Sequence, residues 1–364
     1  MKFTSKLENI KKVLESVIYL VDNNPTLPVL NNILFKVAGK RLTLSATNLE
    51  SAIKYSLEVD VKNEGELTLP AKILANYISF LEGEKVEFES TGDNVTVKCG
   101  KSKTKIKGLS ANEFPILPEV ENLFSIKLKG AELEKALKET TFVCSLNATR
   151  PVLSGVYFFS NEKGVNLVAT DGYRLSEKQI LTEVKTGKKA EVIIPARVLN
   201  ELQKMAKNME ELEIMVGQNQ VVFRMDGIEL FSRLIDGNFP NYKAIIPNEF
   251  HTTVHIKTRE ITSAVRQMSV FARDNNNTLN LKTGENEIII SANANQVGEG
   301  ETSFSAKIEG DAQSINLNYD FLLSALGVIN SEEVILKLKD KNSPVILQPA
   351  NEDSFLHLIM PLKS

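Results

Sequence analysis

Three small groups of residues in this 364-residue chain have the types that could bind phosphate or metal, or react as thiols. The first is Gly100, Lys101 and Ser102, which resembles the end of a phosphate-binding loop. That motif needs a further glycine five residues before Gly100, where this chain has Val95, and it must lie between a strand and a helix. The alternating polarity around it predicts a strand and a turn. We therefore predict no nucleotide site here.

The second group is His251 and His255, which are four residues apart, the spacing of zinc ligands on one face of a helix. The residues between them read as a strand, in which four residues span about 13 Å, too far for one metal ion to bridge. The glutamate of a His-Glu-x-x-His motif is also missing. Cys99 and Cys144 stand far apart and form no CxxC pair. The sequence therefore predicts no metal, no cofactor and no catalytic centre.

The composition is that of an ordinary globular protein, with 42% hydrophobic and 24% charged residues. The net charge of −3 excludes a protein that grips nucleic acid by bulk charge alone. Apolar runs are far shorter than the roughly 20 residues needed to span a bilayer, and the first residues lack the apolar core of a signal peptide. Two cysteines exclude a disulfide framework. We expect a soluble, cytoplasmic protein.

One sequence unit occurs three times along the chain. Residues 67–74 (LTLPAKIL) return as residues 192–199 (VIIPARVL) and, more weakly, as residues 315–322 (INLNYDFL). Residues 42–47 return at 165–170 and at 288–293 in the same order. Ordered matches at nearly constant spacing indicate internal repetition, with a period too long for a solenoid. We predict three domains, at 1–122, 123–248 and 249–364.

Each copy combines helical and strand patterns. Apolar residues at helical spacing occur near the start of each copy, and a second helix follows the Pro-Ala signature at Pro70 and Pro195. Alternating runs such as residues 85–89 and 94–98 read as antiparallel strands. The predicted fold class is α+β, with two helices and many antiparallel strands in each copy.

The copies differ in two informative places. Asp171 and Gly172 in the second copy predict a tight hairpin that presents Tyr173 and Arg174 at its tip. The C-terminal residues 355–360 are mostly apolar and are predicted to form the last strand. Apolar residues at a free chain end usually pack onto another element or bind a partner. An ordinary hairpin, and a simple edge strand with a frayed tail, remain the alternative interpretations.

The chain resembles the family of bacterial β sliding clamps, processivity subunits of the replicative polymerase. The resemblance rests on the threefold repeat, on residues 67–72 (LTLPAK), 169–175 (ATDGYRL) and 238–242 (NFPNY), and on the terminal Met360-Pro361-Leu362, and it covers residues 1–364. It implies a head-to-tail homodimer whose six domains close into a ring, with helices lining the hole and sheets outside. Duplex DNA would pass through without sequence preference. The function implied is tethering rather than catalysis, and an ATP-driven loader would open the ring.

The resemblance also implies one pocket for partner peptides. The family's pocket residues match Leu153, Thr170, Gly172, Tyr173, Arg174, Leu175, Pro240, Ile245, Leu358, Ile359, Met360, Pro361 and Leu362. The replicative polymerase, the clamp loader, repair polymerases, ligase and mismatch-repair proteins would insert short linear motifs there. This chain departs from the family with Tyr173 in place of a frequent His and with Ala244 in place of a frequent Arg.

Two further surfaces are predicted. DNA would face basic residues that recur on the polar sides of the helices and beside the pocket, namely Lys11, Lys12, Lys72, Lys135, Lys138, Arg150, Arg197, Lys204, Lys207 and Arg266. A DNA-contacting Arg of the family is missing near Asn24. The dimer interface would join the first domain to the third domain of the next chain through Lys103, Lys105, Ile106, Val270, Phe271, Glu299 and Glu301.

Two other functions stay open at the level of sequence. One is a three-domain enzyme or DNA-repair factor that acts as a monomer, and the other is an interaction protein unrelated to DNA. Triplicated domains favour a scaffold over an enzyme. A native mass near the 40.4 kDa of one chain would argue against the ring.

Overall fold

The computed structural model describes residues 1–21, 27–117, 119–146, 149–184, 189–294 and 298–363. Asn24 therefore lies outside the described residues. Each third of the chain contributes two α-helices to the described part. These helices are α1 (Leu7–Ile18), α2 (Ala71–Ser79), α3 (Gly130–Thr140), α4 (Ala196–Ala206), α5 (Thr258–Ala272) and α6 (Tyr319–Val328).

Strands make up most of the remaining structure. The first third contains β1 (Lys2–Lys6), β2 (Asn32–Ala38), β3 (Arg41–Thr47), β4 (Ser51–Glu58), β5 (Asp60–Asn63), β6 (Gly65–Pro70), β7 (Lys85–Thr91), β8 (Asn94–Cys99) and β9 (Ser102–Lys107). The second contains β10 (Phe124–Lys129), β11 (Gly155–Asn161), β12 (Gly164–Thr170), β13 (Arg174–Leu181), β14 (Glu191–Pro195), β15 (Glu211–Val216), β16 (Gln220–Met225) and β17 (Ile228–Arg233). The third contains β18 (Thr252–Lys257), β19 (Thr278–Thr283), β20 (Glu287–Ala294), β21 (Gly298–Ser305), β22 (Lys307–Gly310), β23 (Ser314–Asn318), β24 (Glu333–Leu338), β25 (Val345–Pro349) and β26 (Phe355–Ile359).

The order of elements repeats three times. Each copy reads as a strand, a helix, four or five strands, a second helix and three final strands. The predicted α+β class and the three tandem copies are confirmed. The exact boundaries at 122/123 and 248/249 stay a prediction.

The helices form where apolar residues recur at helical spacing. In α1 the buried side chains are Leu7, Ile10, Val13, Leu14 and Val17, one stripe along the helix. Each such side chain contributes roughly 1.5–3 kcal/mol when it leaves water. The amphipathic stripe, rather than helix propensity, therefore holds the helix on its sheet.

The chain folds as two compact units. The first comprises residues 1–131 and 201–234 and holds two antiparallel sheets, with strand orders β5-β1-β7-β8-β9 and β10-β15-β16-β17-β4-β3-β2-β6. The eight-stranded sheet joins strands of the first and second copies through the pairing of β17 with β4.

The second unit comprises residues 132–184, 189–200 and 235–363 within the described range. Its strand orders are β14-β11-β12-β13-β26-β25-β24-β18-β22 and β21-β20-β19-β23. The nine-stranded sheet joins the second and third copies through the pairing of β13 with β26. Both units therefore contain a sheet shared by neighbouring copies.

The two motifs rejected as phosphate and zinc sites lie on strands and turns. Gly100 and Lys101 form the turn between β8 and β9, and His255 lies within the strand β18. The described residues include no group of acidic, histidine or cysteine side chains that could hold a metal ion. Among those residues no helix is both long and apolar enough to cross a membrane.

Candidate partner-binding site and basic helix faces

The hairpin between β12 and β13 is fixed by its own side chains. Thr170 Oγ1 donates to the carbonyl of Arg174 (2.7 Å) and accepts from the N–H of Gly172 (3.1 Å). Asp171 Oδ1 accepts from the N–H groups of Tyr173 (2.9 Å) and Arg174 (3.0 Å). Gly172 has a φ of 94°, a conformation that other residues rarely adopt. The tip is therefore rigid, and it leaves Tyr173 67% exposed.

The Arg174 side chain points inward from this tip. Its Nε donates to Asp171 Oδ2 (2.9 Å) and its Nη1 donates to Ser324 Oγ (2.7 Å). The guanidinium lies between the rings of Phe321 and Phe142, 4.5 and 5.6 Å from their centroids. The guanidinium thus holds the hairpin against α6, and a contribution of Arg174 to the rim of the pocket stays a prediction.

The C-terminal strand β26 lies inside the nine-stranded sheet. It pairs with β13 on one side and with β25 on the other. Beyond it, the N–H of Met360 donates to the carbonyl of Tyr173 and that of Leu362 to the carbonyl of Asn316, both at 2.8 Å. The alternative of a simple edge strand is therefore wrong, because both sides of β26 are paired.

An apolar patch lies where the hairpin and the C-terminal strand meet. Leu175 and Leu358 are directly opposite each other and belong to one buried cluster with Val168, Tyr242 and Ile346. The half-buried Met360 packs against this cluster. These residues form the apolar floor of the candidate pocket beside the hairpin.

The remaining predicted pocket residues differ in their exposure. Pro240 and Ile245 are exposed, Pro361 and Leu362 are half-buried, and Leu153 is buried in a short 3-10 turn. Ile359 is different, because alternation along β26 turns its side chain to the other face of the sheet. It is fully buried in the core of the third copy. In this structure Ile359 therefore does not contribute to the apolar patch that contains Leu358.

A buried ion cluster, which the sequence did not reveal, lies on the other face of β13. Lys178 is only 5% exposed and contacts Glu139 Oε2 (3.0 Å) as well as Glu352. Lys135 donates to Glu352 Oε2 (2.5 Å). Partial burial would raise the pKa of Glu352, but hydrogen bonds from Lys135 and Lys178 outweigh it and lower that pKa to about 2. Lys135, expected to face DNA, is thus committed to ion pairs.

His357 is the histidine that the structure buries completely. Its Nδ1 lies 2.8 Å from Ser176 Oγ, and its ring stacks on Phe142 at 5.6 Å. Burial, followed by the charge of Arg174, lowers the pKa of His357 to about 3. The imidazole is therefore neutral near pH 7 and serves as packing beneath the hairpin.

Most of the other predicted DNA-facing residues are exposed on or beside the helices. Lys11 and Lys204 have local partners, since Lys11 donates to the carbonyl of Leu81 (2.8 Å) and Lys204 pairs with Glu201 (2.9 Å). Lys204 is nevertheless exposed, as are Lys12, Lys72, Lys138, Arg150, Arg197, Lys207 and Arg266. A cleft of about 910 Å³ along α5 is lined by Arg266 together with Lys257 and Arg259, which the sequence does not single out, and by Glu332 and Glu333.

The predicted interface residues lie on two sheet edges and one helix. β9 is the edge strand of its sheet, with Lys103 and Lys105 exposed and Ile106 buried. β21 is likewise an edge strand, with Glu299 and Glu301 exposed. The ring of Phe271 packs beneath Gly300, where any Cβ would come within 2.7 Å of it. Val270 is 63% exposed.

Known proteins similar to this chain are clamp subunits. Its residues match models of the DNA polymerase III beta subunit, with the N-terminal domain at 1–118, the central domain at 127–241 and the C-terminal domain at 243–363. Beta sliding clamps from Synechocystis sp. and Synechococcus elongatus are 30% and 31% identical to it over 100% of this chain and 99% of their own length.

Solved structures give the same result. The DNA polymerase III subunit beta from Pseudomonas aeruginosa has a TM-score of 0.95 at 27% identity, and each chain is fully covered. The DNA polymerase sliding clamp from Bacillus subtilis has a TM-score of 0.96 at 25% identity, over 100% of this chain and 99% of that one.

Proposed function

Because the chain belongs to the DNA polymerase III beta subunit family, we propose that two copies close head to tail into a ring around duplex DNA. The protein is a sliding clamp, a processivity factor of the replicative polymerase and not an enzyme. The ring is proposed from one observation in particular, the way in which neighbouring copies share sheets.

Both shared sheets follow one rule. The last strand of a copy pairs antiparallel with the third strand after the first helix of the preceding copy. Thus β17 pairs with β4, and β26 pairs with β13. The two strands left over by this rule are β9 and β21, and each is the edge of its sheet. A third shared sheet of the same kind therefore requires a second chain, with β9 of one protomer beside β21 of its partner.

The same rule gives the register of this proposed pair. In both internal sheets the second residue of the last strand lies opposite the fourth residue of its partner strand, as in Glu229 with Lys54. Carried over, Lys103 lies opposite Glu301 and Lys105 lies opposite Glu299. Both pairs join opposite charges, and residues directly opposite in an antiparallel pair have Cβ atoms only about 5 Å apart. The charges therefore support this register.

Helix positions support the same arrangement. In the first unit, Lys204 of α4 lies 4.5 Å over the ring of Tyr19, which directly follows α1. The second helix of a copy thus meets the end of the first helix of the preceding copy. In the proposed dimer, α2 would meet the end of α5 near Val270. Ile73 and Phe80, which are 61% and 84% exposed, would be covered there. Neither was recognised as an interface residue from sequence.

Sequence-independent DNA binding is proposed for the exposed basic residues of the helices. Backbone phosphates carry no base identity, so contacts with them position DNA without selecting a sequence. A closed ring retains DNA topologically and needs only weak contacts. The chain's net charge of −3 is consistent with such loose holding.

Partner binding is proposed for the apolar patch beside the hairpin. We infer that the polymerase, the loader and repair proteins insert a short peptide with a Gln and a Leu-Phe type pair. Leu175 and Leu358 would form its floor beside Met360, while the exposed Ile245 and Tyr173 would contact the peptide from the turn Tyr242–Ile245 and from the hairpin tip. Two buried apolar side chains offer roughly 3–6 kcal/mol of transfer free energy. Ordering the peptide consumes much of this, and we expect about micromolar affinity.

Retention on circular DNA tests the ring most directly. The protein is loaded onto nicked circular DNA with a bacterial clamp loader and ATP, and bound protein is separated by gel filtration. Retention on the circle and release after linearisation are expected. Equal retention on linear DNA would show ordinary binding and contradict the encircling ring. A monomer by sedimentation at micromolar concentration would contradict the dimer.

A further inference from the structure

A polar groove of about 540 Å³ adjoins the apolar patch on the same face of the nine-stranded sheet. Side chains two apart on a strand share a face and are separated by about 7 Å. On β13, Leu175 lies in the patch, while Glu177 and Gln179 line the groove. On β26, Leu358 and Leu356 repeat this relation. The groove is therefore a continuation of the patch along two paired strands.

One short turn separates the two regions. Tyr242 packs in the apolar cluster and its hydroxyl donates to Glu177 Oε1 in the groove (2.8 Å). The turn Tyr242–Ile245 therefore begins with a residue of the apolar cluster and continues with Lys243, which lines the groove. Lys243 Nζ lies 5.7 Å from the centroid of the Phe159 ring, which also lines the groove.

A buried amide in the groove lacks a hydrogen-bond partner. Asn166 is 3% exposed and lines the groove, and its Nδ2 has no acceptor within the described part of the chain. Nearly all buried polar groups in proteins are paired, so an orphaned donor requires an explanation. A carbonyl or carboxylate oxygen from another molecule would satisfy it.

We propose that the groove binds the polar flank of the same partner peptide whose apolar residues enter the patch. This inference rests on the proposed function of the patch. An extended peptide advances about 3.3 Å per residue, so three or four residues beyond the patch reach Gln179. One flank oxygen accepts from Asn166, and one acidic side chain pairs with Lys243. Glu162 and Asp353 line the groove together with Lys163 and Lys189, and this mixture of charges favours a single charge pair over a long acidic run.

Paired peptides test this inference. A labelled Gln-Leu-x-Leu-Phe peptide is compared with versions extended by four residues that include one Asp, placed on either side, using fluorescence anisotropy. We expect one extended peptide to bind wild type about fivefold more tightly, the gain of about one net hydrogen bond. Lys243→Glu, which replaces attraction by repulsion, is expected to abolish that gain, and Asn166→Leu is expected to reduce it, while both leave the affinity of the short peptide within about twofold.

Matched controls keep the outcomes distinct. Lys282→Glu changes an exposed lysine on β19, away from the groove lining, and is expected to retain the full gain. Thermal unfolding measurements check that Asn166→Leu is folded. If it is not, the test relies on Lys243→Glu, which changes a surface side chain. No gain from either extension, or equal loss in Lys282→Glu, would overturn the groove proposal while the patch stands. Failure of the short peptide itself would instead refute the patch. Binding of a single-stranded oligonucleotide that Lys243→Glu abolishes would assign the groove to nucleic acid and also overturn the proposal.

Discussion

Arg174 shows how one residue shapes the candidate site without lining its mouth. Its guanidinium bonds to Asp171 at the hairpin and to Ser324 on α6, and it lies between two aromatic rings. Hydrogen bonds to a charged group contribute about 1.5–3 kcal/mol each, and a planar guanidinium also stacks. The hairpin tip therefore depends on a side chain that points toward α6.

We predict that Arg174→Lys weakens peptide binding about tenfold, because an ammonium cannot keep both the stacking and the forked hydrogen bonds. The measurement is fluorescence anisotropy of the labelled Gln-Leu-x-Leu-Phe peptide, with sedimentation of the same sample to show that the dimer is unchanged. Arg224→Lys, at an exposed pair with Glu229, is the matched control and is expected to be neutral. Wild-type affinity in Arg174→Lys would contradict the positioning role.

The ion cluster around Lys178 predicts a pH-dependent stability. The lowered pKa of Glu352 means that its ionised form stabilises the folded state. That contribution is complete above the ordinary glutamate pKa and disappears as the pH falls through about 2. The buried Glu139 opposes it, because burial raises the pKa of that carboxyl despite Lys178.

We therefore expect Glu352→Gln to lower the melting temperature near neutral pH and to lose this effect progressively in acid. Calorimetry of both proteins from about pH 7 to about pH 3 measures the difference. The control is Glu309→Gln, which removes an exposed pair with Lys307. A difference between wild type and Glu352→Gln that stays constant over this range would contradict the assigned role.

At the scale of elements, the two unpaired edge strands make the sharpest prediction. Lys103→Glu together with Lys105→Glu should weaken the dimer, since four like charges would then face one another across the proposed pairing of β9 with β21, which we call the seam. Adding Glu299→Lys and Glu301→Lys should restore it. Sedimentation at nanomolar concentration measures association. Exposed ion pairs contribute only about 0–1 kcal/mol each, and salt screens them further. The effect should therefore be clearest at low salt concentration.

A second pair of changes tests the apolar part of the same seam. Phe271→Ala with Ile106→Ala should also favour the monomer. Lys40→Glu, in the exposed turn between β2 and β3, is a charge control expected to leave the dimer intact. Failure of the charge swap to rescue would argue against the register, and unchanged sedimentation of all variants would argue against the seam.

The C-terminal element gives another prediction. Removing residues 360–364 eliminates Met360 from the patch and the hydrogen bond from Met360 to Tyr173. Peptide binding should be lost, while β9 and β21 and hence the dimer remain. Anisotropy beside sedimentation of the same sample separates the two effects. Dissociation of the truncated dimer would mean that the tail has a structural role instead.

At the scale of the whole molecule, the proposed ring predicts weak and uniform DNA binding. Replacing Arg197 and Arg266 by Ala should reduce loading or sliding slightly and equally on all sequences. The logarithm of the binding constant falls linearly with the logarithm of the salt concentration, and this slope should become shallower by about one for each phosphate that is no longer neutralised. Lys40→Ala is the exposed control. A marked sequence preference in wild-type binding would contradict an interaction with the DNA backbone alone.

Much of the architecture follows from the sequence because it depends on local patterns. Helical stripes such as Leu7, Ile10 and Val13 require only their own spacing, and the repeat needs only comparison of the chain with itself. The rejection of the phosphate and zinc sites also depends on local pattern. Alternating polarity predicts strands around Lys101 and His255, and residues four apart on a strand, such as His251 and His255, are too distant to share one metal ion.

The tertiary structure decided what depends on distant partners. No local pattern pairs β26 with β13, which brings Leu358 beside Leu175 and turns Ile359 into the core. Likewise, Lys135 looks like any solvated helix lysine until the fold places Glu352 beside it, 217 residues along the chain. The sequence by itself determined the kind of unit and its number. Long-range strand pairing, whose register fixes the face to which every side chain points, decided which residues form the patch, the groove and the ion cluster.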